Sequence, residues 1–254
     1  MGRGYGMQPL SRGLYEVRLA TSAEAVAAAQ RLRYLAFRGA GVREEGEDRD
    51  ADAFDEHAQH VLVQDRASGA LVATYRVQMF DGTTIAQSYA AQFYDLSRLE
   101  RFPAPMLEMG RFCLDPGRHD PDILRLAWAA MTQMVDAAGV GLLFGCSSFA
   151  GADPARHAAA LGALTTRTAP HRWRPGPRAP ERIALSGLAP PGQPAAPRMP
   201  PLLRTYLMMG GWVSDHAVID RDLDTLHVLT GVDISTIPPA RARALRLIAA
   251  ESLG

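Results

Sequence analysis

The sequence predicts an α/β fold, a mixed sheet flanked by helices, and three observations carry that expectation. Stretches rich in β-branched and apolar residues alternate with stretches of helical periodicity. Two of the apolar stretches stand back to back as a hairpin, and from Leu124 to Ala138 the apolar residues recur every three or four positions. The resulting order of strand, helix, hairpin, strand, helix, strand, helix favours a helix-covered mixed sheet over an all-helical or all-strand architecture.

The elements follow in order. Leu14 to Ala20 alternates as a strand, and Thr21 with Glu24 forms a capping-box pattern ahead of an alanine-rich helix from Ser22 to Phe37. After an acidic loop, HVLVQD and LVATYRVQMF flank Arg66 to Gly69, a tight connection that makes them a hairpin. Residues 83–100 are mixed, with Asp95 or Ser97 able to cap a short helix, before MLEMGRFCL restores strand character. The turn DPGRHDPD leads into the helix that buries Leu124, Ala127, Trp128, Met131, Met134, Val135 and Ala138, and Gly139 and Gly141 stop it. LLFGCSS is a buried strand and Pro154 to Thr166 a further helix. Beyond an irregular, proline-crowded stretch, a short helix from Leu202, a strand around Trp212, another in LHVLTGV and a helix after Pro238 and Pro239 complete the chain. The expected division is therefore a core over 14–170, a Pro/Arg-rich linker or flap over 171–200, and an α/β extension over 201–254 packing on the core.

The 254 residues, 47% hydrophobic and 21% charged, suffice for one ordinary core with an appendage. No run approaches the roughly 18 apolar residues a membrane-spanning helix needs, and the first residues lack the apolar region of a secretory signal, so the expectation is a cytoplasmic protein. Cys113 and Cys146 lie in strand-like segments and read as reduced core thiols. The net charge of zero conceals two excesses: eight acidic against two basic side chains over 43–56, and Arg172, Arg174, Arg178, Arg182 and Arg198 against Glu181 over 171–200.

Several chemistries fail on spacing. Asp50, Asp52 and Asp55 suggest a calcium loop, but Phe54 and Asp55 stand where an EF-hand needs an oxygen ligand and a glycine. The histidines and cysteines show no zinc-ligand spacing, so no metal is expected. Ser147 lacks the glycines two places away on both sides that a nucleophile elbow requires. His60 and Asp65 match a His-x4-Asp acyltransferase pair, but on a strand residues five apart face opposite ways.

What survives is a set of charges inside apolar segments: Arg33 in the first helix, Arg76 in LVATYRVQMF, and Glu108 with Arg111 in MLEMGRF. Burying a charge is costly unless it is paired or used, so these are either structural ion pairs, such as Glu108 with Arg76 or Arg111, or a site.

The succession RLRYLAF, DADAFD, ATYRV and LEMGRF resembles the acyl-homoserine-lactone synthases and the ornithine N-α-acyltransferases, at Arg33, Phe37, Asp52, Asp55, Arg76, Glu108 and Arg111. LFGCSSFAG, PPLLRTYLMMGGWV and DRDLDTLHVL resemble the ornithine acyltransferases specifically, so the likeness covers about Glu16 to Val232. The tryptophan that lactone synthases carry soon after the Arg-x3-Phe motif is missing here, where Gly39 to Val42 follow.

The resemblance implies an acetyltransferase-like (GNAT) core, a donor in the form of the acyl-phosphopantetheine of acyl carrier protein, L-ornithine as acceptor, and no permanently bound cofactor. It places the pantetheine arm between two diverging strands, with its phosphate near Gly117, Arg118 and His119 at the start of the following helix. Arg111 or Arg76 would hold the substrate carboxylate, and Asp52 and Asp55 would attract the δ-ammonium or fix Arg33. Glu108 would act as base or anchor the arginines. The product of such a reaction is a lyso-ornithine lipid. The arginine-rich segment would be a dock for acidic carrier protein, a peripheral contact with an anionic inner-membrane surface, or a solvated linker. No nucleic-acid partner is expected. The alternatives are a lactone synthase and a non-catalytic acyl-carrier or lipid-binding module.

Overall fold

The computed structural model describes residues 5–39, 48–188 and 199–253. In chain order the elements are β1 (Leu10–Arg12), β2 (Tyr15–Leu19), α1 (Ala23–Arg38), β3 (Gln59–Asp65), β4 (Leu71–Phe80), β5 (Tyr94–Asp95), β6 (Met106–Leu114), α2 (Pro121–Ala138), β7 (Leu142–Ala150), α3 (Ala158–Ala163), β8 (Gly176–Pro177), β9 (Arg182–Ala184), α4 (Pro201–Met208), β10 (Trp212–Val213), β11 (His216–Asp220), β12 (Thr225–Asp233) and α5 (Pro239–Glu251). They form two compact units: Met1–Gln78, Met109–Val140 and Pro239–Gly254 in the first, Met79–Glu108 and Gly141–Pro238 in the second. The division passes through β4 and β6.

The first unit has the strand order β1-β2-β3-β4-β6. Its ladders from β1 to β4 are antiparallel, with Leu19 opposite Val61 and His60 opposite Arg76. The capping box expected at Thr21 and Glu24 gives way to a simple cap one residue later: Ser22 is the N-cap of α1 and accepts a hydrogen bond from the Ala25 amide, alanine having no side chain to return it, and Gly39 closes the helix at its other end. In α2, Asp120 caps the start, Pro121 occupies the first turn, and Gly139 adopts the left-handed conformation at the end. Of the predicted stripe, Ala127, Trp128, Met131, Met134 and Val135 are buried and Leu124 and Ala138 half-buried; Ile123, Leu126 and Ala130 join them in the core, where the Tyr75 hydroxyl donates to the Ala127 carbonyl at 3.0 Å. Helix α5 lies against α2, tied by a bidentate Arg246–Asp136 pair with both contacts at 2.8 Å.

The second unit has the order β6-β7-β12-β11-β9, with β10 on β12. The pairing of β6 with β7 is parallel and covers Met106–Glu108 opposite Leu142–Phe144. Strand β12 is antiparallel to β7 along its whole length, from Thr225 opposite Ala150 to Asp233 opposite Leu142. Alternate residues of these strands enter two apolar clusters. Leu142, Phe144 and Leu229 join Tyr94, Phe102 and Trp212, whereas Phe149, Leu226 and Val228 join Leu161, Leu164 and Leu203. Burial on both faces explains why LLFGC and LHVLTGV read as continuous apolar runs.

Two expectations are corrected here, and one strand is added. The helix expected over Pro154 to Thr166 is broken, with α3 only six residues long between two single 3-10 turns. Residues 171–188 are more ordered than an irregular linker, since Gly176–Pro177 pairs with β5 and Arg182–Ala184 forms the sheet edge on β11. Strand β11, unread in the sequence, pairs with β12 through Val218 and His227. Residues 43–47 of the acidic run and Arg198 lie outside the described residues. Among the described residues no helix is long and apolar enough to cross a membrane.

Candidate active site

Four separate segments of the first unit bring six charges together. Arg33 projects from the buried face of α1, beside Ala29 and Leu32. Asp50, Asp52 and Asp55 come from the acidic run, where Asp52 caps a 3-10 turn: its carboxylate accepts from the Phe54 amide at 3.0 Å, and Asp55 accepts from the Asp52 amide in return. Arg76 stands on β4 and Arg111 on β6.

These six side chains close into a ring of alternating sign. Arg33 donates through Nε to Asp50 Oδ2 and through Nη1 to Asp55 Oδ1, both at 2.7 Å. Arg76 Nη1 meets Asp55 Oδ1 at 2.6 Å and also Asp52 Oδ1, and its Nη2 reaches Asp52 Oδ2 at 2.9 Å. Arg111 completes the circuit, Nε to Asp50 Oδ2 at 3.0 Å and Nη2 to Asp52 Oδ2 at 3.2 Å. Every arginine thus bridges two aspartates and every aspartate two arginines, and three charges of each sign cancel.

The ring is deeply buried at one side and open at the other. The side chains of Arg33, Asp50, Asp55 and Arg76 are 1–6% exposed, whereas Arg111 is 13% and Asp52 24% exposed. Burial pushes the Asp55 carboxyl up, but hydrogen bonds and charge from Arg33, with hydrogen bonds from Gln30 and Arg76, outweigh it and hold the group well below the usual carboxylate range. His60 lies beside the ring, its Nε2 3.3 Å from the Asp55 carbonyl oxygen. Burial pushes its pKa down, so at neutral pH the ring gains no fourth positive charge. The Arg76 guanidinium also sits over the Phe54 ring, 5.6 Å from its centroid.

Arg111 has φ = 54°, in the left-handed region that a non-glycine residue occupies only at a cost. Arg111, one of the two arginines expected to hold the substrate carboxylate, therefore grows from a locally irregular point of β6. Phe37 is half-buried one turn beyond Arg33 on α1.

Glu108 is buried in the second unit, and its carboxylate clamps a turn: Oε2 accepts from the Tyr89 amide at 2.9 Å and Oε1 from the Ala90 amide at 2.8 Å. The Gly117–His119 turn is also engaged internally. Asp115 takes the Gly117 amide on its carboxylate at 2.8 Å and the Arg118 amide on its carbonyl at 2.9 Å, while Arg118 lies 3.5 Å from Asp65 and His119 is exposed. A phosphate arriving at the Gly117 amide would have to displace the Asp115 carboxylate. Among the described residues no three His, Cys, Asp or Glu side chains are arranged to hold a metal ion.

The arginines of the 171–188 segment are partly committed to the fold. Arg174 donates to the Ala169 carbonyl at 3.2 Å, Arg178 to Ala91 at 2.6 Å and Arg182 to Ala179 at 2.8 Å, while Arg172 stacks over Trp173.

Sequence reasoning did not place Asp50, Gln30 or His60 at the site. Asp50 was visible only as part of an excluded calcium loop, His60 only as half of an excluded acyltransferase pair, and the charge density around position 50 was the available signal.

A family model described as an acetyltransferase (GNAT) domain matches residues 32–129, a span that contains the whole ring. The chain is 34% identical over 248 residues to an L-ornithine N(alpha)-acyltransferase of Brucella abortus, covering 89% of this chain and 86% of that one. It is 34% identical over 238 residues to an L-ornithine N(alpha)-acyltransferase of Rhodobacter capsulatus, covering 89% and 91%. Among solved structures, an uncharacterized protein from Bacillus halodurans shares the fold with a TM-score of 0.50 at 6% identity, covering 97% of this chain and 100% of that one. FeeM, an N-acyl amino acid synthase from uncultured soil microbes, aligns with a TM-score of 0.46 at 11% identity, covering 96% and 99%.

Proposed function

Because this chain belongs to the L-ornithine N(alpha)-acyltransferase family, we propose that it joins a fatty acyl group, with or without a 3-hydroxyl, delivered as the phosphopantetheine thioester of acyl carrier protein, to the α-amine of L-ornithine. The observation that carries the assignment of roles is the charged ring with its half-buried Arg111–Asp52 corner, the only part of the ring that solvent reaches appreciably. Ornithine presents a carboxylate and two amines, and that corner offers a planar cation and an anion side by side. Arg111 takes the substrate carboxylate, a geometry a lysine would not reproduce. Asp52 faces the δ-ammonium. Arg33, Asp55 and Arg76, almost without solvent exposure, hold those two from within, and Phe37 lines the substrate side of α1.

In the reaction the α-amine loses a proton and attacks the thioester carbonyl. The new C–N bond forms, the C–S bond breaks, and the carrier thiolate leaves to take up a proton. The products are N-acylornithine, a lyso-ornithine lipid, and free carrier protein. Glu108 accepts the amine proton, directly or through water, from a carboxylate that the Tyr89 and Ala90 amides hold in place. The amides of Gly117, Arg118 and His119 meet the pantetheine phosphate once Asp115 yields. The positive segment around Arg172, Arg174, Arg178 and Arg182 suits acidic carrier protein, and the amphiphilic product suits release at an anionic membrane surface from a protein that works in the cytoplasm.

The test is mass spectrometry of purified protein incubated with 3-hydroxyacyl carrier protein and either ornithine or S-adenosylmethionine, beside Arg111→Ala. We expect N-acylornithine from the wild type and at least a roughly hundredfold loss in the variant. A lactone product, or transfer unaffected by Arg111→Ala, would overturn the assignment.

A further inference from the structure

The ring contains one member that the resemblance does not name. Asp50 lies two residues before the first aspartate of the quoted pattern, yet without it the circuit is open. We infer that Asp50 is a positioning residue for ornithine: acting through Arg111, it sets the plane of the guanidinium that receives the substrate carboxylate. The inference rests on the role given to Arg111 above.

A single oxygen, Asp50 Oδ2, accepts from Arg33 Nε at 2.7 Å and from Arg111 Nε at 3.0 Å. It thereby ties a rigid helix to an irregular strand position. The Asp50 backbone amide donates to the Gln30 carbonyl at 3.1 Å, so the carboxylate is itself anchored to α1 and, at 7% exposure, has little room to swing. On the other side, Arg111 springs from a backbone in the left-handed region, a conformation that persists only where the surroundings over-determine it. Two carboxylates gripping Nε and Nη2 of a planar group fix its plane and rotation. Without Asp50 the hold on Nε from α1 is lost, and Asp52, which grips Nη2, is shared with Arg76. Loss of Asp50 would leave three positive charges facing two negative ones and set Arg76 and Arg111 in competition for Asp52.

The experiment compares the specificity for ornithine with that for ornithine amide, which keeps both amines and lacks the carboxylate charge. The ratio of the two kcat/KM values is insensitive to how much of a preparation is folded, so a merely structural role would not move it. It is measured with the acyl carrier protein donor for the wild type, Asp50→Asn and Asp50→Glu. The second variant keeps the charge and moves the carboxylate by one methylene, which carries the test if the first does not fold. We expect a wild-type preference for ornithine that falls about tenfold or more in either variant, the scale of one charged hydrogen bond, with the KM for the acyl donor unchanged. A wild-type preference that survives in the folded variant would overturn the role of Asp50 alone. A wild type that does not distinguish the two acceptors would overturn the role of Arg111 beneath it.

Discussion

Glu108 accepts two backbone hydrogen bonds, and that constrains what its replacement can do. In Glu108→Gln the new amide nitrogen must face one of the Tyr89 or Ala90 amides, a donor against a donor, so a fold control is needed beside the kinetics. If Glu108 is the base, kcat falls about a hundredfold or more in a variant whose thermal transition is preserved. A loss of only a few-fold under the same condition removes the base role and leaves the clamp. The residue scale is also where legibility in the sequence was uneven. Arg33, Arg76 and Arg111 stood out because each interrupts an apolar run, and a charge in such a place needs an explanation. Asp50 did not stand out, because an aspartate in a run of acidic residues looks solvated. Only the three-dimensional pairing reveals that it ends on two guanidinium groups, Arg33 and Arg111.

Among the elements, β12 shows why a motif of small residues can carry a fold. Trp212 on β10 stands opposite Gly231 on β12, and a Cβ at Gly231 would lie 2.3 Å from the indole ring. Trp212 is buried in the cluster around Tyr94 and Phe144, so the ring cannot retreat freely. Gly231→Ala should therefore destabilise the protein by about 1–3 kcal/mol, read from chemical denaturation, with no Cβ-free alternative to relieve it. The stretch PPLLRTYLMMGGWV makes sense in the same terms, since a Cβ at Gly211 would lie 2.6 Å from the Tyr206 carbonyl oxygen. Helix α2 and the β3–β4 hairpin were legible because their signals are local: a buried stripe every three or four residues and a short connection between two β-rich runs. Strands β9 and β11 were not: β9 is three residues long with its partner distant in sequence, and β11, although it forms a hairpin with β12, is a five-residue strand joined to it by the polar turn Arg221 to Asp224. Ala217 pairs with Ile183 across a segment that composition alone marks as linker.

For the molecule as a whole, acid should act in two stages, because two kinds of group have pKa values displaced by folding. Burial, with the neighbouring His216, pushes His227 down to about 4, and its Nδ1 lies 3.1 Å from the Tyr94 hydroxyl. The unfolded chain takes up this proton near pH 6.5, so the stability from His227 is complete above that value and is lost as pH falls to about 4, a span of about 3 kcal/mol. His60, pushed down in the same sense, adds to the effect. Asp55 acts lower: its contribution is complete above roughly pH 4, where an unfolded aspartate ionises, and disappears as pH falls towards its depressed folded value. Denaturation midpoints measured from pH 7 to 3 should fall throughout, and His227→Gln should flatten the part above pH 4. An unchanged slope there would remove His227 from the account. The closed ring has a further consequence, in heredity rather than energetics. Any single exchange of an arginine or aspartate for a neutral residue leaves an odd charge inside the protein, whereas exchanging one neighbour of each sign leaves none. Descendants of this sequence should accordingly keep all six residues or lose them in pairs, and the partner lost with Asp50 should be Arg33 or Arg111.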